Sequence, residues 1–96
     1  MIESMNDDRK RELCKILAKN LSVLREKAGI TQNELADRLG FSRQTISAIE
    51  SQKREMQWST FSTLAMFFAK DKEMKQIMKV IGIINDEVEK ILNLCP

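Results

Sequence analysis

Few residues of this 96-residue sequence could carry out catalysis. The sequence contains no histidine, the commonest general base and metal ligand in proteins. Cys14 and Cys95 lie far apart without Cys-x-x-Cys spacing, so we expect free thiols in a reducing cytosol. The acids, among them Glu34, Glu50 and Glu55, show no metal-ligand clustering. We therefore expect no enzyme, no cofactor and no metal site, and we look for chemistry in hydrogen-bonding side chains.

The composition is that of an ordinary soluble domain, with 43% hydrophobic and 31% charged residues and a net charge of +2. No apolar run approaches the roughly 18 residues that a membrane-spanning helix needs. The first eight residues carry acids and no hydrophobic run, so they are not a secretory signal. We expect a cytoplasmic protein with no membrane partner. Positive charge is in surplus only in residues 1–70, because acids slightly outnumber bases in residues 71–96.

The turn-forming residues are too few for an all-β domain, since the chain has three glycines and one proline. We predict an all-α fold, a compact bundle of five to six helices. A first helix is expected from an N-cap at Asn6 to Gly29, and its buried stripe consists of Leu13, Leu17, Leu21, Leu24 and Ala28.

The next helices are marked by their caps. Thr31-Gln32-Asn33-Glu34 is a capping box that opens a second helix, which ends at Gly40. Ser42 is the N-cap of a third helix. After a polar loop over residues 51–57, a fourth helix is expected to begin near Trp58 or Ser59. From Asp71 the apolar pattern predicts two more helices, separated by Gly82 and with Asn85 as the second N-cap.

Between Gln32 and Ser51, several positions carry the residue types that the geometry of a tight helix-turn-helix requires. Ala36 is small where two helices approach closely, Gly40 sits in the turn, and a shared core is supplied by Leu35, Leu39, Phe41, Ile46 and Ile49. With the flanking Leu24-Arg25, Gly29-Ile30-Thr31-Gln32 and Glu50, this pattern resembles the Cro and repressor type of helix-turn-helix DNA-binding protein, the xenobiotic-response-element family. The resemblance covers roughly residues 13 to 69.

This resemblance implies double-stranded DNA as the partner, with the third helix in the major groove and its N-terminal residues toward base edges. Arg43 would bond O6 and N7 of a guanine, and Gln44 would bond N6 and N7 of an adenine. Ser47 and Ala48 offer little hydrogen bonding and would contact a thymine methyl. The implied base-reading residues are Arg43, Gln44, Thr45, Ser47 and Ala48.

Other positions would contact the DNA backbone. In the family, the glutamine at the position of Gln32 holds a phosphate and braces the glutamine at the position of Gln44. The implied backbone-contacting residues are Gln32, Ser42, Lys53 and Arg54. As alternatives, Arg43 could contact a phosphate or be solvated, and Lys53 and Arg54 could serve solubility alone.

The resemblance also implies a structural ion pair between Arg25 and Glu50, which would link the first helix to the end of the third. After Glu50 the sequence departs from the family pattern. Members commonly have Glu-x-Gly-x-x-x-Pro, whereas residues 50–56 are Glu-Ser-Gln-Lys-Arg-Glu-Met, without glycine or proline. The loop conformation is therefore not predicted.

We assign residues 1–70 to a helix-turn-helix DNA-binding domain, with the helix-turn-helix at 32–51, and residues 71–96 to a C-terminal helical extension of the same globular unit. The extension has more apolar positions than one face against a small core needs. We expect a homodimer interface formed by Ile81, Ile84, Val88, Ile91 and Leu92. The same residues could instead close the monomer's own core, and both can hold together.

The expected function is that of a sequence-specific transcriptional regulator, a repressor that reads an inverted-repeat operator as a dimer. The alternative is an antitoxin-like or other protein-interaction module that binds a protein partner through the C-terminal helices. DNA binding would then be secondary or lost.

Overall fold

A computed structural model describes residues 5–93 of the chain, and within this range it contains six α-helices and no strand. In chain order they are α1 (Asp7–Lys27), α2 (Gln32–Leu39), α3 (Arg43–Glu50), α4 (Trp58–Ala69), α5 (Lys72–Ile81) and α6 (Asp86–Leu92). The predicted all-α bundle is confirmed. The Cα radius of gyration, 12.6 Å, matches the ~13 Å of a compact domain of this size.

The predicted N-caps are confirmed in the structure. The side-chain oxygen of Asn6 accepts a hydrogen bond from the Arg9 N–H at 2.8 Å. The capping box of α2 is complete, because the Thr31 side chain bonds the Glu34 N–H while the Glu34 carboxylate bonds the Thr31 N–H. Ser42 caps α3 with a single hydrogen bond, which its Oγ accepts from the Thr45 N–H. Each bond satisfies a backbone N–H that has no partner within its own helix.

The helix ends are also close to their predicted positions. α2 ends at Leu39 and α5 at Ile81, and their C-caps Gly40 and Gly82 both have the left-handed backbone, with φ of 78° and 99°. Such a conformation costs a residue with a side chain more than it costs glycine. One detail differs: α1 ends at Lys27, and Ala28 is its exposed C-cap rather than part of the buried stripe.

α1 is the central helix of the bundle and packs against α3, α4 and α5, while α2 packs against α3 and α5 against α4. Its apolar stripe is fully buried and consists of Leu13, Leu17, Leu21 and Leu24. Phe61, Leu64, Ala65 and Phe68 of α4 face the same core. The helix-turn-helix docks on α1 through α3, and α4 packs against α1 as well. One face of α3 is therefore left for contacts outside the bundle.

The C-terminal helices belong to this core. Ile83, Ile84, Val88 and Leu92 are buried in one apolar cluster with the α1 and α4 residues. Within residues 5–93, no helix combines the length and apolar character needed to cross a membrane.

Candidate nucleic-acid interface

The turn between α2 and α3 sets the angle at which α3 is presented. The Phe41 N–H bonds the Ala36 carbonyl at 3.0 Å, which brings the chain back across the end of α2. Ile46 and Ile49 of α3 are then buried with Leu35 of α2. Because both isoleucines lie on one side of an eight-residue helix, the polar residues of α3 other than Glu50 lie toward its outer side.

That outer side carries the five predicted base-reading residues. Arg43 and Gln44 are exposed, and Thr45, Ser47 and Ala48 are half-buried. Arg43 is the first residue of the helix and Gln44 the second. The two side chains with the greatest hydrogen-bonding capacity are therefore at the N-terminus of α3, the end that enters the groove in helix-turn-helix proteins.

Arg25 and Glu50 form an ion pair with two hydrogen bonds. Arg25 Nε lies 2.8 Å from Glu50 Oε2, and Arg25 Nη2 lies 3.3 Å from Oε1. Arg25 Nη1 also donates to the carbonyl of Ile30 at 3.1 Å. The side chains are only 15% and 9% exposed. The hydrogen bond to Glu50 raises the pKa of Arg25, so the guanidinium stays charged and ties α1 to the end of α3.

Gln32 connects this ion pair to the N-terminus of α3. Its Nε2 donates to Glu50 Oε1 at 2.9 Å, and its Oε1 accepts from Arg43 Nη1 at 3.1 Å. The side chain of Gln32 thus braces Arg43, whereas the resemblance implied that it braces Gln44. The physical reason is that Gln44 points about 100° further around the helix than Arg43 does.

The loop after α3 turns back onto that helix. The N–H groups of Lys53 and Arg54 both bond the carbonyl of Ala48, at 2.9 and 3.3 Å. Gln52 makes the reversal in the left-handed conformation, with φ of 60°, at the position where the family pattern has glycine. Arg54 Nη1 donates to Thr45 Oγ1 at 3.1 Å. The loop therefore brings Arg54 beside the first turn of α3, a contact that no sequence pattern had indicated.

The residues predicted for a dimer interface are largely used inside the monomer. Ile84, Val88 and Leu92 are buried, and Ile81 and Ile91 are partly buried against the same cluster. Three of the five side chains are therefore not available at the surface as the molecule stands. This corresponds to the alternative in which the C-terminal helices close the monomer's core.

Cys14 and the acids of the described residues have structural surroundings that the structure defines. Cys14 is buried, and burial raises the pKa of its thiol to about 11, which keeps it uncharged at neutral pH. Cys95 lies outside the described residues. Glu34 serves the capping box, and the backbone N–H of Thr31 is the main cause of its lowered pKa. No group of acids and cysteines within residues 5–93 could hold a metal ion.

A family model described as helix-turn-helix matches residues 21–71, more than half of the chain. The matched range runs from the middle of α1 to the start of α5 and includes Arg25, Gln32, the whole of α3 and the loop that carries Arg54. Neither the curated proteins nor the solved structures gave a match.

Proposed function

The chain belongs to the Cro-type helix-turn-helix family of DNA-binding domains, and on this premise we propose that it is a sequence-specific transcriptional regulator. It reads duplex DNA with α3 in the major groove and represses by occupying its operator. Within the family we assign it to the xenobiotic-response-element group, an assignment supported by Arg25, Gln32 and Glu50.

The observation that carries the proposal is the bracing of Arg43. Arg43 projects from the N-terminus of α3 and is bonded to Gln32, which is bonded in turn to the partly buried Glu50. An arginine restrained in this way loses less side-chain freedom when it bonds a guanine than a mobile surface arginine does. The side chain of the neighbouring Gln44 is exposed and can bond the edge of an adenine.

Phosphate contacts come from residues beside this face. Ser42 is exposed at the start of α3, and Lys53 is exposed in the loop after it. Gln32 Nε2 gives one of its two N–H groups to Glu50, so a phosphate can be met by the second N–H or by the backbone N–H at the start of α2. Such contacts position the protein and make binding salt-dependent without reading sequence.

The operator follows from the oligomeric state. We propose a homodimer, which would place two α3 helices about 34 Å apart and select an inverted repeat. Its interface must use side chains that the monomer leaves accessible. On α5, Val80 is 79% exposed and Ile81 is partly buried, and Ile91 of α6 is partly buried.

The test is selection from a random duplex DNA pool, followed by fluorescence anisotropy on the recovered sequences at several salt concentrations. Arg43→Ala and Gln44→Ala should each relax specificity at one position per half-site, by about 1–3 kcal/mol. Lys72→Ala removes a positive charge from α5, outside the helix-turn-helix, and should leave the selected sequence unchanged.

Failure of the pool to enrich any sequence would contradict the proposal, as would binding that is indifferent to both α3 substitutions. If an unrelated protein also co-purified in a fixed ratio and Val80→Glu abolished that association, the protein-interaction function would replace it.

A further inference from the structure

Arg54 lies beside the reading face of α3, although it belongs to the loop that follows the helix. Its Nη1 donates to Thr45 Oγ1 at 3.1 Å, and Thr45 is in the first turn of α3. The side chain is exposed. A basic residue that only neutralised phosphate charge would need no bond to the helix that reads the bases.

The position of Arg54 is set by its backbone as well as by its side chain. The N–H groups of Lys53 and Arg54 bond the Ala48 carbonyl, and Gln52 adopts the left-handed conformation that reverses the chain. These bonds fix the Cα of Arg54 relative to α3. The guanidinium therefore extends to the first turn of α3 from a backbone position that hydrogen bonds hold in place.

Thr45 is bonded in turn to the N-cap of α3. Ser42 Oγ and Thr45 Oγ1 lie 2.9 Å apart, a hydrogen bond in which either hydroxyl can donate, and Ser42 Oγ also accepts from the Thr45 N–H. Thr45 Oγ1 has two lone pairs and can therefore accept from Arg54 with either arrangement. The resulting chain runs from Arg54 through Thr45 to the N-cap, and it uses one of the five N–H donors of the Arg54 guanidinium.

Two arginines thus flank the first turn of α3, each tethered by a neutral side chain. Arg43 is held by Gln32 of α2, and Arg54 is held by Thr45. Both keep N–H donors for a second partner, and the guanidinium fork fits the O6 and N7 acceptors of guanine.

We propose that Arg54 is a specificity-determining residue, which bonds a guanine edge in the major groove next to the bases read by Arg43 and Gln44. This inference rests on the proposed function, and it replaces the role of DNA-backbone contact that the family resemblance implies for Arg54. The ligand is a second guanine in each half-site, and Thr45 is the residue that positions Arg54 toward it.

The experiment compares Arg54→Ala, Arg54→Lys and Lys53→Ala with the wild type, in selection from a random duplex pool and in anisotropy against every single-base variant of the selected site. Arg54→Ala should lower discrimination at one base pair per half-site by about 5- to 150-fold. Arg54→Lys keeps the charge and hence the salt dependence, but it loses the planar fork and should also lower discrimination there. Lys53→Ala, the matched control, should weaken all sequences about equally and make the salt dependence less steep.

Thr45→Val provides a second variant, since it removes the hydroxyl and keeps a β-branched side chain of similar size. It should lower discrimination at the same base pair as Arg54→Ala, and the double variant should add little to either single one. Helical circular dichroism and melting temperature of each variant establish that it is folded.

Different results overturn different claims. If Arg54→Ala weakens all sequences equally and Arg54→Lys restores binding, Arg54 contacts phosphate; this inference is then wrong, and the proposed function stands. If Thr45→Val alters a different base pair, Thr45 does not position Arg54. If selection with the folded wild-type protein enriches no DNA sequence, both the proposed function and this inference are wrong.

Discussion

Glu50 is the residue at which three helices meet. Its carboxylate accepts hydrogen bonds from Arg25 of α1 and from Gln32 of α2, while its own backbone belongs to the last turn of α3. At 9% exposure the Glu50 side chain is largely removed from water, so these two donors take the place of water at its carboxylate oxygens. Through Gln32 it is also linked to Arg43, and the same carboxylate therefore joins the three helices to the exposed N-terminus of α3.

The first prediction concerns Arg25. Replacement by alanine leaves Glu50 without its cationic partner, and loss of one member of a buried ion pair costs about 3 kcal/mol. For a domain of this size this corresponds to a decrease in melting temperature of about 10–20 °C. Arg43→Ala is the matched control, because removal of an exposed arginine should change stability by no more than about 0.5 kcal/mol. Equal melting temperatures of the two variants, measured by circular dichroism, would rule out a structural role for the Arg25–Glu50 pair.

At the scale of elements, the helices follow their local signals and the loop over residues 51–57 does not. This loop lacks the glycine and proline of the family pattern, yet it makes the reversal that glycine usually makes, with Gln52 at φ of 60°. A left-handed backbone brings Cβ close to the following carbonyl and costs a residue with a side chain about 1–2 kcal/mol. The loop thus carries local strain at the point where it positions Lys53 and Arg54.

The second prediction is that Gln52→Gly stabilises the protein. Relief of the left-handed strain exceeds the entropy that glycine adds to the unfolded chain, and we expect a net gain of about 0.5–1 kcal/mol in the free energy of unfolding. Ser51→Gly is the control, because Ser51 has φ of −85° and no such strain to relieve. It should lose about 0.5–1 kcal/mol. Urea denaturation of both variants would decide, and a Gln52→Gly variant no more stable than the wild type would contradict the assigned strain.

At the scale of the whole molecule, the C-terminal helices share the core of the helix-turn-helix rather than extend from it. Val88 and Leu92 of α6 are buried, and Glu89 of the same helix is bonded to α5. Lys75 Nζ lies 2.9 Å and Lys79 Nζ 3.7 Å from Glu89 Oε1. The apolar residues of this segment are evident in the sequence, and so are the acids of α6 and the lysines of α5, but the sequence does not show that they pair.

The third prediction uses the pKa of Glu89, which is lowered chiefly by the hydrogen bond from Lys75. A carboxyl whose pKa is lower in the folded state contributes stability above its unfolded pKa, about 4.3. That contribution decreases as the pH falls through the lower folded value. Melting temperatures from pH 7 to pH 3 should show Glu89→Gln less stable than the wild type at neutral pH, with the difference vanishing in acid. Glu87→Gln, an exposed change on the same helix, should show a smaller difference, and a pH-independent deficit in Glu89→Gln would indicate a packing effect instead.

The sequence by itself determined the helices and their caps. These features depend on interactions between residues about three or four positions apart, as in the bond from Arg9 N–H to Asn6 or the capping box at Thr31. A propensity and one nearby hydrogen bond suffice to predict them. The pairing of Arg25 with Glu50 was also anticipated, but by resemblance and not by local physics.

Tertiary structure alone decided which long polar side chains meet. Gln32 and Glu50 are 18 residues apart, Gln32 and Arg43 are 11, and Thr45 and Arg54 are nine. For two residues this far apart in the sequence, local interactions do not determine whether their side chains meet. The docking of α2, α3 and the following loop determines which partner each side chain bonds. Tertiary structure also decided where Ile84, Val88 and Leu92 pack. Their apolar character predicts that they are buried, but it does not say which surface covers them. The fold of α6 onto the monomer's own core made that choice, because an amphipathic helix must bury its apolar face against another element and the chain places α6 on the cluster formed by α1 and α4.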